Sequence, residues 1–116
     1  MINRAALLLR YRAPAVEWVN EADPYREDPG LTLETVNRQR NVYLVDEHEA
    51  ANPDRIARWV DENYLVLFER ELDSWYNDPD VWPRELSLDL FHAWFEVECH
   101  PVVSDMVGDE IWDDDR

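Results

Sequence analysis

Residues 52–76 read NPDRIARWVDENYLVLFERELDSWY, and the reading of this stretch decides the fold. Ile56, Trp59, Val60, Tyr64, Leu67, Phe68, Leu72 and Trp75 recur at i, i+3, i+4 and i+7. That spacing puts them along one broad stripe of an α-helix. Asn63 and Glu71 fall in the same register, while Arg55, Arg58, Asp61, Glu62, Glu69, Arg70 and Asp73 fall on the opposite side. Asn52 is a good N-cap, and Pro53 suits the first helical position because its missing N–H would be unpaired there anyway. Asp54 adds negative charge where the helix dipole favours it. Asn77-Asp78-Pro79 stops the helix, since the residue before a proline is pushed out of the α region. At 1.5 Å per residue such a helix is roughly 35 Å long. So wide an aromatic stripe needs cover, and the rest of the chain must supply it.

Working outward, Ala5-Ala6-Leu7-Leu8-Leu9 lies between Arg4 and Arg10. An apolar run without alternation predicts a strand over 4–11 covered on both faces. Pro14 opens a short helix with Ala15, Trp18, Val19 and Ala22 on one face, and residues 23–30, DPYREDPG, form a polar loop. Thr32 caps a helix over 33–39, with Leu31 and Val36 placed as a hydrophobic staple. Val42-Tyr43-Leu44-Val45, β-branched and aromatic, reads as a second strand. On the other side, residues 77–85, NDPDVWPRE, form a proline-punctuated loop whose Trp82 is expected to plug the end of the core. Ser87 caps a helix carrying Leu86, Leu90, Phe91, Trp94 and Phe95 on one face. Past Phe95 two readings stand open. Val97 and Cys99 alternate with Glu96 and Glu98 as in a strand, Pro101 breaks a continuing helix, and Val102, Val103, Met106 and Val107 fit either a third strand near 101–106 or a helical turn. Residues 109–116 read as a frayed tail containing Trp112.

The sum is a single α+β domain over 1–116: a small two- or three-stranded sheet packed by about four helices, including one long amphipathic helix near 53–76. A chain of 116 residues buries about two-thirds of its unfolded surface in one core. Six Trp, five Tyr and three Phe argue against disorder. With only Gly30 and Gly108, no glycine-rich phosphate loop is present.

The formal net charge is −16, and all eleven basic residues are arginine. A spread-out acidic excess without lysine suits a salt-rich cytoplasm, where a short Debye length screens self-repulsion. The rival reading is an acidic surface that mimics nucleic acid and occupies the site of a basic protein. Direct nucleic-acid binding is excluded, since no basic stripe exists to neutralise phosphates. Cys99 is the lone cysteine, so no intrachain disulfide forms, which suits a reducing compartment. The N-terminal apolar run of five residues is too short for a signal peptide, and no stretch approaches a membrane span. The expectation is a cytoplasmic protein without a cofactor.

Several short elements resemble a family of small uncharacterised bacterial proteins. They are Asn3-Arg4-Ala5-Ala6-Leu7, Val42-Tyr43-Leu44, Phe68-Glu69-Arg70-Glu71-Leu72-Asp73-Ser74-Trp75, Trp82-Pro83, Phe91-His92-Ala93-Trp94-Phe95, His100 and Asp105. The resemblance covers most of the chain. The family has no assigned activity, so it implies neither a function nor catalytic residues.

Three constellations bear on chemistry. If the fourth helix continued, His92, Glu96 and His100 at i, i+4 and i+8 would offer a metal two imidazoles and a carboxylate, with Glu98 and Asp105 nearby. The ordinary reading is a partly buried His92 and a turn at His100. Cys99-His100 are adjacent, which on a strand turns them to opposite faces and speaks against a thiol–imidazole pair. Asp46-Glu47-His48-Glu49, at a strand end, reads as a solvated acidic turn, and Ser74, Ser87 and Ser104 lack a nucleophile-elbow context. The remaining option is protein recognition. Trp82 with Arg84, Trp112 and Tyr25 lie in loops or the tail, and Trp, Tyr and Arg are the usual anchors of interfaces. The leading expectation is a non-enzymatic protein that binds a protein partner or forms a homodimer. The alternatives are a nucleic-acid-mimicking inhibitor and a small metal-dependent enzyme using His92, Glu96 and His100.

Overall fold

In the computed structural model, which describes residues 1–23 and 30–113, the decisive stretch forms one uninterrupted helix, Pro53–Trp75. Asn52 Oδ1 accepts the Arg55 N–H at 2.9 Å at its start, and Tyr76 N–H closes on Leu72 O at 2.9 Å at its end. The elements in chain order are β1 (Arg4–Tyr11), α1 (Ala13–Ala22), α2 (Leu33–Arg38), β2 (Val42–Asp46), α3 (Pro53–Trp75), α4 (Leu88–Trp94) and β3 (Phe95–His100). A single 3₁₀ turn spans Pro79–Val81. Thr32 and Thr35 cap α2 reciprocally, and Ser87 Oγ accepts the Leu90 N–H at the start of α4. Of the loop expected over 23–30, residues 24–29 lie outside the described residues.

The three strands form one antiparallel sheet in the order β2-β1-β3. The register sets Leu7 opposite Tyr43 on one side and Cys99 on the other, and Leu8 opposite Val42 and Glu98. Side chains alternate across a strand, so β1 sorts itself by parity. Ala5, Leu7, Leu9 and Tyr11 are buried on the helix side with Val60, Leu67, Phe68 and Leu72 of α3, Val16 and Val19 of α1, and Phe91 and Trp94 of α4. Phe68 sits at the centre, fully buried, with ring centroids 5.7, 5.5 and 5.6 Å from Phe91, Trp94 and Phe95. Edge-on aromatic pairs of this kind each add about 0.5–1.5 kcal/mol beyond their burial.

Two expectations are corrected. The first strand is not covered on both faces: its even residues look away from the helices, and Arg4 and Arg10 are exposed there. The unbroken apolar run arises because β1 is the central strand, where neighbours on both sides shelter Ala6 and Leu8. The third strand is Phe95–His100, not 101–106, and residues 101–113 are neither helix nor strand. The chain passes from α4 into β3 with no connecting residue. Phe95 N–H still bonds Phe91 O while its own backbone is already extended (φ −134°, ψ 143°). Pro101, lacking an N–H, ends the strand.

Candidate functional site

The stripe of α3 contains one charged group, Glu71, and the fold buries it to 3% exposure. Its carboxylate accepts the Tyr11 hydroxyl at 2.8 Å, the Asn41 side-chain N–H at 2.9 Å and the Tyr43 hydroxyl. Trp75 Nε1 donates in turn to the Tyr11 hydroxyl at 2.8 Å. Burial, together with the negative charge of Glu71, pushes the Tyr11 phenol well above the ordinary tyrosine range; burial and the hydrogen bond to Glu71 do the same for Tyr43. Both phenols therefore stay protonated and donate. A small cavity of about 120 Å³, lined by Tyr11, Asn41, Glu71, Ser74 and Trp75 among others, adjoins the cluster. Three donors converge on the oxygens of Glu71, which accepts from each of them. The cluster ties β1, the start of β2 and α3 together. The sequence did carry a signal for it: a glutamate standing at a core position of the helical stripe.

A second locus is the outer face of the sheet. The even residues of β1 (Arg4, Ala6, Leu8, Arg10) join Val42, Leu44 and Asp46 of β2 and Glu96, Glu98 and His100 of β3. Val42 and Leu44 are 55% and 49% exposed. Arg40 reaches across β1 to Glu98, with Nη1 3.0 Å from Oε1, and Arg10 approaches the same oxygen at 3.8 Å. The Arg40 guanidinium holds the Glu98 carboxyl below the usual carboxylate range. Beyond β3 the chain is apolar and exposed at Val102, Met106, Val107, Ile111 and Trp112. Ile2 N–H donates to Val103 O at 2.7 Å and ties this segment to the start of the chain.

A third locus is an open cleft of about 310 Å³ between α3, α4 and β3, lined by Ile56, Ala57, Val60, Asp61, His92, Val97 and Cys99. His92 Nε2 lies 3.5 Å from Asp61 Oδ1, and burial raises the Cys99 thiol above its usual range.

The sequence-derived candidates separate accordingly. His92 faces this helix-side cleft, whereas Glu96 and His100 stand on the outer face, where His100 Nε2 is 3.6 Å from Glu98 Oε2. The helical face that would join all three does not form, because α4 ends at Trp94. Among the described residues no group of three or more His, Cys, Asp or Glu side chains is arranged to hold a metal ion. Cys99 and His100 point to opposite faces. Asp46 Oδ1 accepts the His48 N–H at 2.8 Å within the turn after β2. Ser74 Oγ donates to Glu71 O at 2.6 Å. Trp82 packs partly buried against the core and donates Nε1–H to Tyr76 O at 2.7 Å, while its other side lines a shallow groove with Val66, Glu69, Arg70 and Asp73. Arg84 is exposed, Trp112 is 81% exposed, and Tyr25 lies outside the described residues.

The fold and these sites define a small α+β domain whose antiparallel sheet is packed by helices on one face. Among the described residues no helix is long and apolar enough to cross a membrane. No family model, curated protein or solved structure matches the chain.

Proposed function

We propose that this is a non-enzymatic, salt-adapted cytoplasmic protein that works by association, and that the occupant of its open sheet face is a second copy of the chain. The supporting observation is the pairing of an apolar patch, the half-buried Leu8 with the exposed Val42 and Leu44, with a rim that is nearly charge-balanced. Arg4, Arg10 and Arg40 stand there against Asp46, Glu96 and Glu98 in a chain of net charge −16. Three strands at about 4.8 Å spacing offer on the order of 300 Å². A stable interface needs about 800 Å² per partner. The exposed residues of 101–113 extend the area, and Asp105, Asp109 and Glu110 of that segment complement the arginines of a facing sheet. The outer side of α3 interleaves Asp61, Glu62, Glu69 and Asp73 with Arg55, Arg58 and Arg70, which weighs against a phosphate-like row of carboxylates.

Two highly acidic copies repel, so screening favours their contact. Sedimentation in low and molar KCl tests the reading. The expected result is a monomer at low salt, a dimer at high salt, and loss of the dimer in Leu44→Asp. A monomer at every salt concentration overturns self-association. Binding to a basic protein that weakens steeply with KCl would favour the mimic. A melting temperature that fails to rise with KCl removes the salt-adaptation reading.

A further inference from the structure

The cleft between α3, α4 and β3 opens on the helix side of the sheet, away from the face assigned to association. Its walls are Ile56, Ala57 and Val60 of α3 with Val97 and Cys99 of β3. Its polar lining is the pair Asp61 and His92, on adjacent helices and each about half-exposed. Apolar walls with a few convergent polar groups are the usual make-up of a small-molecule site. The volume of about 310 Å³ is roughly twice the ~150 Å³ that accepts a benzene ring. It therefore has room for a ring with a short side chain.

Charge selects the polar end of that ligand. Asp61 contributes a carboxylate at the mouth, no arginine among the described residues lines the cleft, and the molecule as a whole carries −16. Such a field concentrates small cations at a cleft and repels anions. We propose that this cleft binds a small amphipathic amine, with its apolar body against Ile56, Val60 and Val97 and its ammonium group at Asp61. His92, whose Nε2 faces Asp61 Oδ1, holds the carboxylate at the rim while the second carboxylate oxygen serves the ammonium. The ordering follows from the geometry: Val60 is buried at the floor at 2% exposure, whereas Asp61, the next residue of the helix, turns to solvent.

Cys99 is the chain's sole cysteine and lines the cleft, so its reactivity reports occupancy at this one place. The full-length protein, in molar KCl to suppress diffuse ion binding, is treated with methyl methanethiosulfonate in the presence of 2-phenylethylamine, 2-phenylethanol or 3-phenylpropanoate. At about ten times a millimolar Kd, a bound amine slows labelling about tenfold. The alcohol slows it less, and the carboxylate scarcely at all. Asp61→Asn, an exposed substitution, brings the amine down to the level of the alcohol. Ala57→Phe fills the cleft and abolishes amine binding measured by calorimetry. Equal protection by all three probes overturns the proposal. So does an amine preference that survives Asp61→Asn, or absence of protection by the amine. Because the outer sheet face is untouched, sedimentation of Asp61→Asn remains that of the wild type whether or not the cleft binds amines.

Discussion

The two faces of one sheet differ more than their sequences suggest. On β1, Ala5, Leu7, Leu9 and Tyr11 look into the helices and are buried, while Arg4, Ala6, Leu8 and Arg10 look out across a surface over which, among the described residues, no helix lies. The helix side is held by interlocked aromatic rings around Phe68. The outer side is held by edge-strand neighbours and by the Arg10–Glu98–Arg40 charges. One face therefore carries stability, and the other is left free for contact. Changes on the helix side should cost folding free energy, and changes outside should cost association.

The sharpest break is Phe68→Ala. It removes a fully buried ring from among Phe91, Trp94 and Phe95 and should cost about 3–5 kcal/mol in chemical denaturation. Glu71→Leu comes next. It strands the Tyr11 and Tyr43 hydroxyls and the Asn41 amide, and a loss of about 1–3 kcal/mol is expected by the same measurement. The phenols also make a pH prediction. Their folded pKa values are raised above the unfolded value, so their contribution is complete below about pH 10 and is lost as pH rises beyond it. Tyr43→Phe should flatten that alkaline decline in melting temperature; a decline of unchanged slope would show that Tyr43 does not titrate with unfolding.

The outer face should respond weakly. Glu98 has a lowered folded pKa, so its contribution is present above the ordinary glutamate range and is lost as pH falls through and below it. Arg40→Gln should reduce this acid sensitivity, leaving the part owed to His100 and Arg10, at a cost of at most about 1 kcal/mol at neutral pH. Leu44→Asp should change monomer stability by no more than about 0.5 kcal/mol while abolishing the dimer proposed to form at high salt. If it destabilises the fold as Phe68→Ala does, the division between the two faces is wrong.

Much of the framework was legible in the residues. Asn52, Pro53 and Asp54 opened α3 as their chemistry requires, the 3.6-residue stripe set its length, and Asn77-Asp78-Pro79 followed its end. Thr32 and Ser87 capped α2 and α4, and both β1 and residues 42–45 of β2 were readable as strands. The end of α4 was not, because Phe95 satisfies the apolar face of a helix and the inward position of a strand equally well. Pairing with Tyr11, its partner in the register of β1, decides for the strand. That choice separates His92 from Glu96 and His100. Glu71 was visible as a charge in an apolar stripe, but its partners come from positions 11, 41 and 43, far off in sequence.

By itself, the sequence determined what local chemistry controls: the caps, the long amphipathic helix, the apolar runs and the acidic, lysine-free surface. The tertiary structure decided what depends on distant neighbours. It set the antiparallel order β2-β1-β3, the face of β1 that helices cover, the burial of Glu71 among two tyrosines and an asparagine, and the meeting of Asp61, His92 and Cys99 in one cleft. Periodicity is a property of neighbours along the chain, whereas burial and pairing are properties of segments that only folding brings together.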